Sequence, residues 1–210
     1  MQVSVCQEVK KAFISESIPA FLNTTLVTLI PKCNNPESLA NFKPISLCNS
    51  VYKVISKVLV ARIRPLLNKL MSPMQSAFIP GRRGVDNVII AQELLYTMDR
   101  MKGREGYIAV KVDLEKAYDR LEWSFVYNVL QAFHFPVNII NLIMSCISNT
   151  SLFVLVNGST LEPIRPSRGI RRGDPISPYL FILCMEYLGF LIEKKCSNGS
   201  WCPLKASRGI

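Results

Sequence analysis

The sequence predicts an α+β fold, with a helix-rich first half followed by mixed strands and helices. Three observations carry this. Apolar residues recur at helical spacing through much of the first hundred positions. β-Branched or alternating segments stand at residues 24–30 and 107–114. An Asn157-Gly158 pair separates two short apolar runs at 152–156 and 160–164. A chain of 210 residues, 49% apolar and 19% charged, can bury a core and lacks the composition of a disordered segment.

The elements follow in order. Val5, Val9 and Phe13 share one face of a helix that Pro19 closes. Residues 24–30 read as a strand stopped by Pro31, and 33–44 as a polar loop with Asn34, Asn35 and Pro36. Asn49 or Ser50 can cap the next helix. There Val51, Val54, Ile55, Val58, Leu59 and Arg62 alternate apolar and basic faces, with Lys53, Lys57, Arg64 and Lys69 on the basic side. A loop over 71–84 holds Pro73, Pro80, Gly81 and Gly84, and a helix follows over 86–101. In 107–114, Ile108, Val110, Val112 and Leu114 point one way, and Lys111 and Asp113 the other. Helices are expected over 123–133 and from Pro136 to Ser148, then the Asn157-Gly158 hairpin. Pro175 suits the first turn of a final helix reaching Lys194.

Several classes are excluded. The most apolar stretch, 179–192, is shorter than the roughly 20 residues of a membrane span, and Glu186 interrupts it. Glu8, Lys10 and Lys11 stand where a secretion signal needs its apolar segment. The expected location is therefore intracellular, in cytoplasm or nucleus. The seven cysteines are odd in number, show no C-x-x-C spacing, and are joined by one histidine, His134. They read as reduced thiols, not as a zinc site or a disulfide framework.

The net charge of +10 is unevenly placed. Residues 31–84 carry nine Lys/Arg against Glu37 alone, a net +8. Residues 85–130 are mildly acidic, residues 131–164 have no Lys or Arg, and residues 165–210 return to +5 with Arg165, Arg168, Arg171 and Arg172 crowded together. Two basic stretches around a carboxylate-bearing middle suit a polyanion, or else form a solvated basic face. In that middle, the apolar run before Asp113 delivers its carboxylate to a strand end. With the carbonyl of Leu114 it makes half of a site for a hard divalent cation; the alternative is a turn cap paired with Lys111 or Lys116. No two acids are adjacent anywhere in the chain, and Asp174 reads as a cap for the helix after it.

A family resemblance emerges from blocks in order. Leu29-Ile30-Pro31-Lys32, Asn41-Phe42-Lys43-Pro44-Ile45-Ser46-Leu47 and Val51-Tyr52-Lys53-Val54-Ile55-Ser56-Lys57-Val58-Leu59 resemble the first finger motifs of reverse transcriptases from non-LTR (LINE-type) retrotransposons. Gln75-Ser76-Ala77-Phe78-Ile79-Pro80-Gly81-Arg82 is similar to the next block. Val112-Asp113-Leu114-Glu115-Lys116-Ala117-Tyr118-Asp119 resembles catalytic motif A, and the stretch from Arg168 through Gly173-Asp174-Pro175 to Phe181 resembles motif B.

The resemblance implies a right-hand polymerase fold: fingers plus an incomplete palm of the split βαβ, ferredoxin-like kind. Its expected units are fingers over 1–100, the first carboxylate strand of the palm over 101–122, a connection with a hairpin over 123–167, and a palm helix region over 168–210. It implies RNA-directed DNA polymerisation by two-metal nucleotidyl transfer, with Mg²⁺ or Mn²⁺ held by Asp113 and the Leu114 carbonyl. Lys32 and Lys43 would meet the triphosphate. Tyr118 would exclude a ribose 2′-OH, and Gly173 and Arg172 would lie at the nascent base pair. Lys53, Lys57, Arg62, Arg64, Arg82, Arg83, Arg168 and Arg171 would contact the RNA template or the RNA–DNA duplex. Three departures are expected to matter. Lys43 replaces the usual Arg, Arg172 replaces the usual Gln, and the aromatic-Ala-Asp-Asp hairpin is not among the 210 residues. The chain is accordingly expected to be inactive as it stands. The alternatives are a non-catalytic nucleic-acid-binding module and an inert retroelement relic.

Overall fold

A computed structural model describes residues 4–102 and 106–204. The ends of the first and last expected units therefore lie outside the described residues. The helices are α1 (Val5–Ser15), α2 (Ser50–Ile63), α3 (Leu67–Leu70), α4 (Gly84–Arg100), α5 (Ala117–Arg120), α6 (Trp123–Ala132), α7 (Val137–Ser148) and α8 (Ser177–Ser197). The strands are β1 (Thr24–Pro31), β2 (Phe42–Cys48), β3 (Ser151–Val156) and β4 (Ser159–Thr160). They form a small mixed sheet in the order β2-β1-β3-β4. β1 is antiparallel to β2 and parallel to β3, with Leu26 opposite both Leu47 and Phe153.

Local chemistry explains most boundaries. The Asn49 side chain accepts a hydrogen bond from the Val51 N–H and starts α2. The buried stripe of α2 is Tyr52, Ile55, Leu59 and Ile63, so the core face is rotated from the expected one and Val54 stays exposed. Asn157 and Gly158 both have positive φ, 50° and 82°, which is the geometry of a tight hairpin turn. The β3–β4 ladder is short, and Leu152 pairs with Ile164 beyond it. α8 starts at Ser177 with Pro178 in its first turn, slightly later than expected from Pro175.

The core is mainly helical. Tyr52, Leu59, Leu130, Ile143, Leu180 and Leu183 from α2, α6, α7 and α8 are all fully buried. Residues 42–48, of which the sequence assigns 42–44 to a loop, form β2. The larger correction concerns residues 107–114. They join no sheet, and Ile108, Val110, Val112 and Leu114 are 88, 77, 65 and 47% exposed. β1 is flanked on both sides by β2 and β3, and β4 covers the end of β3. The outer edge of β2 is met by the loop at Arg172, whose carbonyl accepts the Ser46 N–H. The alternating pattern therefore finds no ladder among the described residues. Among them, too, no helix is long and apolar enough to cross a membrane.

Candidate functional site

The site is organised by residues 168–173, the loop between β4 and α8. Gly169 N–H donates to the Leu121 carbonyl and Ile170 N–H to the Tyr118 carbonyl, both at 2.8 Å. The Trp123 indole N–H donates to the Gly169 carbonyl at 2.8 Å. Gly169 has φ 89°, and a Cβ there would lie 3.0 Å from the Asp119 carbonyl oxygen. On its other side the loop reaches β2. Arg172 accepts from Ser46 N–H at 2.9 Å. Gly173, at φ 102°, comes so close that a Cβ would lie 2.9 Å from the Ser46 carbonyl oxygen. Glycine is thus required at 173 by the approach of β2.

Two clefts share the wall made by α5. The first, about 280 Å³, lies between β2 and the loop, with Pro44, Ser46, Asp119, Arg168 and Arg172 in its lining. The second, about 550 Å³, lies against α8 and is lined by Asp113, Leu114, Glu115 and Phe181. The Tyr118 ring stacks on Phe181, centroids 5.1 Å apart and planes at 22°. Partial burial raises the Tyr118 phenol above its ordinary range, and the Arg172 charge opposes that shift.

The three arginines of the loop have different fates. Arg168 pairs with Glu122 at 3.1 Å, both more than half exposed. Arg172 pairs with Asp119 at 2.9 Å. Arg171, grouped with the nucleic-acid contacts by sequence, is instead 8% exposed and has no face to offer a polyanion. It donates to Asn23 Oδ1 and Thr25 Oγ1 at 2.8 Å, to the Cys146 carbonyl at 2.9 Å and to Asp174 Oδ2 at 3.0 Å. Its guanidinium also lies 4.2 Å from the Tyr52 ring centroid. Asp174, expected to cap the following helix, is not its N-cap: that position is Ile176, with no side-chain cap hydrogen bond. Besides accepting from Ile176 N–H, Asp174 takes hydrogen bonds from the Tyr52 hydroxyl and from Ser56 Oγ at 2.7 Å. This buried network fixes the loop to β1, α2 and α7.

The remaining expected residues lie around this frame. Lys32 Nζ donates to the Ala40 carbonyl at 2.9 Å where β1 leaves the sheet, and Lys43 is exposed on β2. Lys53 and Lys57 lie on the accessible side of α2, and Arg64 follows its end. Arg62 lies 4.6 Å over the Phe13 ring. Arg82 turns inward, donating to the carbonyls of Met71, Ser72 and Gln75, while Arg83 stays exposed beside Asp86. Glu186, Trp123 and Ser46, none of them a site residue expected from sequence, also carry the architecture of the site. Buried Glu186 accepts from Ser72 N–H at 2.8 Å and holds the Arg82 loop. Its sequence signal is a lone acid inside an apolar helix.

A divalent cation would meet a partial donor set. The Asp113 carboxylate is exposed and has no hydrogen-bond or ion-pair partner among the described residues. It and the Leu114 carbonyl are hard oxygen donors of the type Mg²⁺ and Mn²⁺ accept. Glu115 lies 3.8 Å from Arg120. No group of three or more His, Cys, Asp or Glu side chains comes together among the described residues. The donors suit one ion in part and do not build a two-ion centre. All seven cysteines are free.

The described residues form a mixed α/β fold in which a glycine-bearing loop lies between an exposed carboxylate cleft and β2. The chain belongs to the reverse transcriptase (RNA-dependent DNA polymerase) family, which matches it over residues 30–204. Among its relatives, the transposon TX1 uncharacterized 149 kDa protein of Xenopus laevis is 28% identical over 90% of this chain. The Pol polyprotein of the retrotransposable element R2DM of Drosophila melanogaster is 27% identical over 82% of it. The R2 Pol polyprotein of Nasonia vitripennis is 31% identical over 75% of it. The chain is thus homologous to non-LTR retrotransposon reverse transcriptases. It spans 14, 16 and 15% of the length of these three relatives.

Proposed function

We propose that this chain supplies the nucleotide- and template-facing part of an RNA-directed DNA polymerase. In that reading, residues 1–100 act as fingers, 101–122 begin the palm, 123–167 connect, and 168–210 resume the palm. The observation that carries it is the loop 168–173, which ties the Tyr118 turn to β2 through backbone hydrogen bonds on both sides. A growing base pair would sit against that loop, with the Tyr118 ring at the sugar and Lys32, just after β1, and Lys43, on β2, toward the triphosphate. The ring is a steric filter against a 2′-OH. Lys32 and Lys43 neutralise phosphate charge as point cations. The basic side of α2, with Arg83 and Arg168, meets the nucleic-acid backbone. A divalent ion at Asp113 would supply charge stabilisation for a displacement in which the primer 3′-OH loses its proton and bonds to the α-phosphorus while the bond to the β-phosphate breaks and pyrophosphate leaves.

Among the described residues one unpaired carboxylate, that of Asp113, lines the cleft against α8, and positioning plus charge neutralisation is most of phosphoryl-transfer catalysis. Residues 1–210 by themselves are therefore proposed to bind template–primer without extending it. The experiment uses purified chain and a poly-rA/oligo-dT duplex with Mg²⁺ or Mn²⁺. Binding is read by fluorescence anisotropy and extension on a denaturing gel. Binding without extension is expected. No binding at low salt would overturn the template-facing reading. Extension that disappears in Asp113→Ala would overturn the statement that this chain is incomplete for synthesis.

A further inference from the structure

We propose that Arg172 and Asp119 form an ion-pair latch that sets the pose of the Tyr118 ring, so that Arg172 acts on the nucleotide site as a positioning residue and not as a nucleotide contact. The proposal deepens the polymerase reading and rests on Tyr118 as the residue that faces the sugar.

Tyr118 lies on α5, a helix of four residues, Ala117–Arg120. A segment that short does not hold its own shape. It also starts from Lys116 in a left-handed conformation, φ 54°, which costs a non-glycine residue conformational energy. The turn must be held from outside. The loop holds its backbone at the Tyr118 and Leu121 carbonyls. Among the side chains of the turn, Asp119 reaches the loop, with its Oδ2 at 2.9 Å from Arg172 Nη2.

Arg172 is placed to transmit as well as to hold. Its carbonyl is fixed to Ser46 N–H of β2, and Gly173 next to it packs directly on the Ser46 carbonyl. One residue therefore joins β2 by its backbone and the Tyr118 turn by its side chain. The next residue on each side is immobilised: Arg171 by its buried network and Gly173 by close approach. The neighbouring Arg168–Glu122 pair spans the same loop but lies outside the turn and is more exposed, 56 and 54% against 28 and 45%. It provides a matched control. A guanidinium already committed to Asp119 would have to be released before it met a phosphate. The two roles are thus separable.

The test reads the Tyr118 ring without nucleotide. The chain is labelled with 3-fluorotyrosine, and the Tyr118 line among the seven tyrosines is assigned by its loss in Tyr118→Phe. Fluorine NMR is then recorded for Arg172→Gln, Asp119→Asn and the reversed pair, Arg172→Asp with Asp119→Arg. Both single changes are expected to shift the Tyr118 line toward that of the unfolded chain and broaden it about twofold. The reversed pair should recover at least half of the shift. Arg168→Gln and Glu122→Gln should leave the line in place. Raising NaCl from about 0.05 to about 0.5 M in the unmodified chain should move the line in the same direction as the single changes, since the pair is partly exposed and screening shortens its reach. That arm needs no variant. A Tyr118 line unmoved by salt and by both single changes overturns the latch. So does a reversed pair that folds by circular dichroism without recovery. Because no nucleotide or template is present, a latch that holds in a chain that binds no template–primer refutes the polymerase reading alone.

Discussion

At Arg171 a guanidinium with four hydrogen-bond partners is buried against a carboxylate whose side chain is wholly inaccessible. Removing one partner of such a pair leaves an uncompensated charge in the core, at a cost of about 3–5 kcal/mol. Arg171→Met should therefore lower the urea-unfolding stability by roughly that amount, whereas Arg168→Gln, at a pair more than half exposed, should cost no more than about 1 kcal/mol. Equal losses at the two positions would contradict the burial assigned to Arg171. The one local sequence difference between these arginines is Asp174, three residues after Arg171. They stand three apart in one basic run, and the other partners of Arg171 lie at Asn23, Thr25 and Cys146, far away along the chain. Cys146 belongs to the same buried region, and burial pushes its thiol from 9.0 up to about 12; Asp174 adds to the shift while Arg171 opposes it. A thiol raised on folding favours the folded state fully below its unfolded value. That contribution is lost as pH rises from 9.0 toward about 12, because the unfolded chain releases the proton first. Over that window the loss is about 1.4 kcal/mol per pH unit. Urea titrations at pH 9 and 10 should show a steeper decline for the natural chain than for Cys146→Ala. Parallel declines would exclude the thiol as the cause.

Elements defined by short-range chemistry were legible in the sequence. The Asn49 cap, the Asn157-Gly158 turn and the helical periods of α1, α6 and α7 depend on residues within a few positions of one another. The sheet was less legible, because a strand exists only where a partner edge is free. β2 has a proline and two polar residues in seven, yet it pairs with β1 along its whole length. Residues 107–114 have the better alternating pattern and no ladder among the described residues. Pattern reports amphipathicity; pairing depends on which edges the rest of the chain occupies. Backbone amides of residues 107–114 should accordingly exchange with solvent at rates near those of unfolded peptide. Those of Thr25 to Leu29 in β1, paired on both sides for much of that run, should be protected by at least about a hundredfold. Hydrogen-exchange mass spectrometry distinguishes the two segments. Comparable protection in 107–114 would mean that this segment has found an edge, and would restore the strand expected from its alternation.

Across the whole molecule, the charge read from sequence divides into cations the fold has already used and cations it leaves available. Arg171 and Arg82 are turned inward onto carbonyls and a carboxylate and Arg172 is paired with Asp119, whereas Arg168 stays more than half exposed beside Glu122. Lys53, Lys57 and Arg64 have no ion-pair partner among the described residues, and Arg62 holds a cation–π contact with Phe13. The +8 of residues 31–84 is therefore the more accessible of the two basic stretches. Each phosphate neutralised on a duplex contributes about 0.9 to the slope of log affinity against log salt. Changing Lys53, Lys57, Arg62 and Arg64 together to Ala should reduce the slope for an RNA–DNA duplex by about 3, short of the full four contacts because Arg62 already serves Phe13. A second variant removes the same charge elsewhere: Lys10, Lys11, Lys194 and Lys195 to Ala. It controls for net charge, since long-range attraction depends on the total and counterion release depends on contacts. If both variants lower the slope equally, the affinity is a property of overall charge and α2 is not an interface. If only the α2 variant does so, the nucleic-acid backbone runs along the face that α2 presents.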